Sequence, residues 1–168
     1  MRGMDKRRKV MLIFVCSELV ISLFIIAMIF VPAVRHKYTE VSFSGLDVIF
    51  GAKYKESNMM VFNFSFMVLF PYLLIFLSEV LIASKILTEK VTLVNIIVAV
   101  IMLTSGVLFT LTKNLASYAD DAKYAFGMFE IQIQETFTLD FGPIAAAIGS
   151  IVLALVTCCE TIAMKRME

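Results

Sequence analysis

The chain has 168 residues, a formal net charge of +1 and 60% hydrophobic residues, against about 45–50% in a typical soluble domain. The excess lies in long runs and raises the mean hydropathy to +0.90, which excludes an ordinary soluble domain and points to an integral membrane protein. The near-zero net charge gives no sign of a nucleic-acid partner.

A helix crossing about 30 Å of hydrocarbon takes about 20 mostly apolar residues. Four stretches qualify: 10–34, 59–83, 91–112 and 143–164. The first follows Arg2, Lys6, Arg7, Arg8 and Lys9. Its apolar run exceeds the roughly 7–15 residues of a signal-peptide core, and no small-x-small cleavage site follows, so it reads as a retained signal anchor. No lipidation motif stands at either end. Segments 1–9, 84–90 and 165–168 hold nine Lys/Arg in 20 residues, whereas the loops 35–58 and 113–142 hold six in 54. Because cytoplasmic flanks retain positive charge, both termini are expected in the cytoplasm and both longer loops outside; the Ile-, Phe- and Met-rich, Trp-free composition suits an AT-rich genome and so a bacterial cell membrane. The expected fold is an all-α membrane protein, one domain over 1–168, with four transmembrane helices in two outward-opening hairpins.

The outer loops carry patterns of their own. In the first, Val41, Ser42, Phe43 and Ser44 alternate before Gly45. In the second, Ile131, Ile133, Phe137, Leu139 and Phe141 alternate with Gln132, Gln134, Thr136, Thr138 and Asp140, with a break near Glu135. Period two marks a half-buried strand, so the two extracytoplasmic loops are expected to form a small β-sheet. Both loops end alike, in Leu46-Asp47…Phe50-Gly51 and Leu139-Asp140-Phe141-Gly142, which suits either a duplicated hairpin or a shared entry turn. Asp120, Asp121, Glu130, Glu135 and Asp140 give the second loop an acidic, solvated face without the spacing of a calcium loop. His36, between Arg35 and Lys37, reads as an interfacial basic anchor.

Within the helices, Pro71 near the middle of 59–83 predicts a kink. Ala146, Ser150, Ala154, Thr157 and Thr161 form a small-residue seam at helical spacing on the fourth helix. Thr92, Asn95, Ala99, Met102, Gly106 and Thr110 do the same on the third. Such seams let neighbouring backbones approach closely in lipid. Cys16, Cys158 and Cys159 fall inside helices, and the adjacent pair reads as small packing residues.

The residues with most chemical content are Glu18, Glu79, Asn95 and Glu160, one polar group per helix in the cytoplasmic half. A carboxylate at a helix centre costs about 2.5–3.5 kcal/mol on insertion scales. Glu79 and Glu160 lie near helix ends and are expected to snorkel to the interface beside Lys85, Lys90, Lys165 and Arg166. Glu18 lies roughly 12 Å in at 1.5 Å per residue, too deep for that exit. It is either a structural hydrogen-bonding group, with Asn95 as a candidate partner, or an ion- or proton-handling carboxylate.

Four helices with a sheet-forming exterior resemble the claudins in layout, but the chain has no Trp and no outer-loop cysteine. A lone glutamate in the first helix resembles the small multidrug exporters, whose proton and cation site would map to Glu18; their loops are short throughout, unlike the 24- and 30-residue loops here. No Ser/His/Asp set, phosphate-cradling glycine loop or H-E-x-x-H occurs, so neither an enzyme nor a cofactor is expected. Two functions remain. One is an accessory, scaffold or regulatory subunit binding other membrane proteins or itself within the lipid bilayer. The other is a small proton- or cation-coupled transporter.

Overall fold

The computed structural model describes residues 2–54, 58–87, 91–122 and 130–167. Helix α1 (Arg2–Ala27) runs into a 3-10 turn over Met28–Phe30. There the chain leaves the bundle earlier than residue 34. Pro32 has no N–H to donate to a helix and disfavours helical backbone before it, and Val31 is accordingly extended, with φ −89° and ψ 152°. Strand β1 (Pro32–His36) follows, then β2 (Ser42–Ser44) and the short helix α2 (Gly45–Phe50). A capping box starts α2: Ser44 Oγ accepts from Asp47 N, while the Asp47 carboxylate accepts from Ser44 N at 2.9 Å.

Strands β3 (Ala52–Lys53) and β4 (Met60–Phe62) make a second, two-stranded sheet. Helix α3 (Phe66–Ser84) therefore begins seven residues later than residue 59, at a Ser65 cap. Pro71 consequently lies in the second turn of α3 rather than near its middle. After α4 (Val91–Thr110) come α5 (Thr112–Leu115), α6 (Glu130–Glu135), β5 (Phe137–Leu139) and α7 (Phe141–Lys165). The predicted strand over 131–141 is thus cut to three residues. Glu130–Glu135 is helical, because a short amphipathic run such as Glu-Ile-Gln-Ile-Gln-Glu serves either period and local packing chooses.

Helices α1, α3, α4 and α7 are each long and apolar enough to cross a membrane, as an integral membrane protein requires. Packing puts them in the cyclic order α1-α3-α4-α7, with α4 against α7 the most extensive pair. At one end of the bundle lie the start of α1, the end of α3, the start of α4 and the end of α7; at the other lie the sheets. The three-stranded sheet has the order β2-β1-β5 and is antiparallel throughout, with Val34 opposite Phe43 on one side and Leu139 on the other. It joins the two halves of the chain.

Asp140 fastens that junction. It caps α7 by accepting from Phe141 N at 2.8 Å, and also accepts from Arg35 Nε at 3.1 Å and Ser42 Oγ at 3.2 Å. It is therefore a bonded group rather than part of a solvated acidic face. The two Leu-Asp…Phe-Gly endings differ in conformation: the first forms α2 and stops at Gly51, whereas the second passes from β5 into α7. Gly51 has φ +98° and ψ 145°, a region that only glycine enters freely.

Beneath the sheets lies an aromatic core. Phe43, Phe62, Tyr118 and Phe137 are buried, with Phe62 ring centroids 5.2, 5.3 and 5.4 Å from those of Phe43, Tyr118 and Phe137. Such pairs contribute about 0.5–1.5 kcal/mol each beyond burial. His36 belongs to this core, 5.1 Å from Phe137 between ring centroids and 2% exposed, and so is not an interfacial anchor. Thr39 N donates to its Nδ1 at 3.3 Å.

Burial pushes the His36 pKa below its usual value of about 6.5, because the imidazolium would be desolvated. The folded cap therefore prefers neutral His36. Its stability is full above about pH 6.5 and falls as the pH drops from there through the lowered folded value, since the unfolded chain takes up the proton first. The protection factors of the β1 and β5 amides, which divide out the intrinsic pH dependence of exchange, are expected to fall on acidification in the wild type. His36→Phe should flatten this dependence; an unchanged pH profile in that variant would assign the effect to another group.

Candidate functional site

Each spanning helix turns one stripe inward, and the stripes on three of them carry charge. On α1 the buried residues Val15, Glu18, Ser22 and Ile25 recur at intervals of three and four. On α7 the same pattern reads Leu153, Thr157, Glu160 and Met164. On α3 it reads Ile75, Ser78 and Ile82, and Lys85 extends it by one more step just past the helix end. Side chains lean towards the N-terminus of their helix. Lys85 thus points back into the bundle instead of out to the interface.

The result is a charged cluster sealed from solvent. Lys85 Nζ donates to Glu18 Oε2 at 2.5 Å and to Glu160 Oε2 at 2.7 Å, and all three side chains are 0% exposed. One ammonium from α3 therefore ties α1 to α7. Glu160 does not snorkel; only Glu79 is half-buried, accepting from Ser22 Oγ at 2.9 Å. Charge-assisted hydrogen bonds of this kind are short and strong. Even so, a buried pair mainly offsets the cost of desolvating its own charges. What the cluster supplies is specificity of helix neighbours, since a Lys or Glu left alone in this layer is strongly unfavourable.

Asn95 does not join Glu18. Its Nδ2 donates to Thr161 Oγ1 at 3.0 Å and Thr157 O at 3.3 Å, bridging α4 to α7. The polar layer expected from sequence is thus three separate links: Glu18–Lys85–Glu160, Ser22–Glu79 and Asn95–Thr161. Among described residues no donor reaches Glu18 Oε1 or Glu160 Oε1.

The fourth-helix seam lies at the α4–α7 contact. Ala146, Ser150, Ala154 and Thr157 are buried and Thr161 is half-buried. Ser150 and Thr157 donate their hydroxyls to Ala146 O and Leu153 O of their own helix, at 2.9 and 2.6 Å, and so act as small, satisfied groups. Opposite them, a Cβ built on Gly106 would meet Ala147 O and Ser150 Cβ at 3.5 Å. On α4, Met102 is buried with Asn95 and Gly106, but Thr110 faces outward. Cys16, Cys158 and Cys159 are free and exposed on the outside of the bundle; the adjacent pair therefore does not pack inside α7.

Lys85 is the residue that sequence reasoning missed, having been assigned to the connection. Its three-four spacing from Ile75, Ser78 and Ile82 was the available signal. Lys90, the other lysine of the connection, lies outside the described residues. A separate feature is a groove of about 510 Å³ between α1 and α7, lined only by apolar side chains including Val20, Phe24, Phe141, Ile148 and Val152. It offers no polar group to a hydrophilic ligand. Comparison with protein-family models, with curated proteins and with solved structures finds no match to this chain.

Proposed function

We infer that the protein is an accessory or scaffold subunit that binds other membrane proteins through its apolar flank and outer sheets. The supporting observation is the closed state of its buried charges: Lys85, Glu18 and Glu160 are spent on one another in holding helices together. A carrier of polar solutes needs groups that can be given up to the cargo along a path. Here the groove on the flank is entirely apolar, which suits a hydrophobic helix of a partner, and small Ala145 and Gly149 in its lining permit close approach.

In this reading the helices form two hairpins opening outwards, the sheets lie on the extracytoplasmic face of a bacterial membrane, and both termini are cytoplasmic, as the distribution of Lys and Arg favours. One set of single-residue variants in native membranes tests side and partner together. A photo-crosslinking residue at Ile148, in the groove, should give a discrete protein adduct, while one at Leu103 on the outer face of α4 should give none. Adducts to lipid alone at both sites would remove the scaffold reading. In a cysteine-free background, Tyr38→Cys should react with an impermeant thiol reagent on intact cells and Leu87→Cys should not. The reverse pattern would invert the orientation.

The second reading is a proton- or cation-coupled transporter. It draws on one observation, the undonated oxygens Glu18 Oε1 and Glu160 Oε1. A Glu18→Gln protein that folds normally but loses a measured proton-coupled flux would establish it over the first.

A further inference from the structure

The geometry points to a bound proton in the charged cluster, shared between Glu18 and Glu160. Lys85 brings one positive charge and the two glutamates bring two negative ones into a site where all three side chains are 0% exposed. With both carboxyls ionised the cluster would carry an uncompensated negative charge away from water, the arrangement that burial disfavours most. One added proton makes it neutral.

Each carboxyl uses Oε2 on the lysine and leaves a buried Oε1 that no donor reaches among described residues. Both carboxyls also accept from the one Lys85 Nζ, at 2.5 and 2.7 Å, which holds two negative groups side by side. A proton on one of them removes their repulsion and turns an acceptor into a donor.

Among the described residues no further donor reaches the free oxygen of either carboxyl. Helix α4 has no titratable side chain between Val91 and Thr110. On α3 the remaining inward-reaching group is Glu79, itself acidic and held by Ser22 of α1. On α7, Lys165 lies beyond Glu160 in the exposed last turn, and Cys158 and Cys159 face outward. The proton is therefore part of what holds α1, α3 and α7 together at the end carrying the termini.

Infrared difference spectroscopy of the full chain in lipid nanodiscs reads this directly. At neutral pH the wild type should show the carbonyl stretch of one protonated carboxyl per chain, shifted in deuterated water. Glu18→Gln and Glu160→Gln should each abolish it, because the single remaining carboxylate balances Lys85 without a proton. Glu79→Gln should leave it in place. A wild-type spectrum with no protonated carboxyl overturns the proposal whatever the variants do. So does a band that survives both Glu18→Gln and Glu160→Gln, or one that disappears only with Glu79→Gln. Circular dichroism of each variant establishes that a lost band is not lost fold.

Discussion

Lys85→Met is expected to destabilise the folded protein by about 3–5 kcal/mol, the usual consequence of removing one partner from a buried ion pair. Methionine keeps the length and apolar stem of the side chain, so the loss reports charge rather than volume. It leaves Glu18 and Glu160 facing each other at 0% exposure with no cation. The triple variant Glu18→Gln, Lys85→Met, Glu160→Gln should recover most of that loss, because neutral amides and a thioether need no counterion and buried pairs are often replaced at little net cost. Glu18→Gln alone should change stability by about 1 kcal/mol or less, the net worth of a typical hydrogen bond, since Glu160 still pairs with Lys85. Equilibrium unfolding in mixed micelles measures all three. A Lys85→Met protein as stable as the wild type would show that the ammonium does not bridge α1 and α7.

Gly51→Ala should have a comparable effect on the sheet end, on the order of 3 kcal/mol, because two costs combine. Its φ of +98° with ψ 145° strains any residue bearing a Cβ. The new methyl carbon would also lie 2.8 Å from Phe62 O, a backbone atom of β4 that cannot swing aside. Relief requires α2 to move away from the β3–β4 pair, which opens the aromatic core at Phe62. Hydrogen exchange should therefore quicken at the amides of Ala119 and Asn63, which donate to Val61 O and Ser117 O in the wild type, while amides in the middle of α4 stay protected. Wild-type exchange at Ala119 in Gly51→Ala would mean that the turn relaxes at no cost.

Hydropathy and spacing were enough to locate the four spanning helices, because a bilayer demands a long apolar run from each helix separately and no tertiary contact can substitute for it. The small residues Ala146, Ser150, Ala154 and Thr157 were legible as a packing stripe for the same reason: helical periodicity is local. Helix ends were less so. Apolar residues such as Val31 and Val61 read as membrane-spanning, yet Pro32 and the Ser65 cap assign them to the sheet end. The pairing of the polar groups was beyond the sequence. Glu18, Lys85 and Glu160 are separated by 67 and 75 positions, and Lys85 looks like any basic flank until the axial position of α3 relative to α1 and α7 is known. Likewise, His36 between two basic residues suggests the interface, and only the pairing of β1 with both β2 and β5 buries it. Burial of a charge is decided by which helices are neighbours and at what depth, and those are properties of the assembled bundle, not of any one segment.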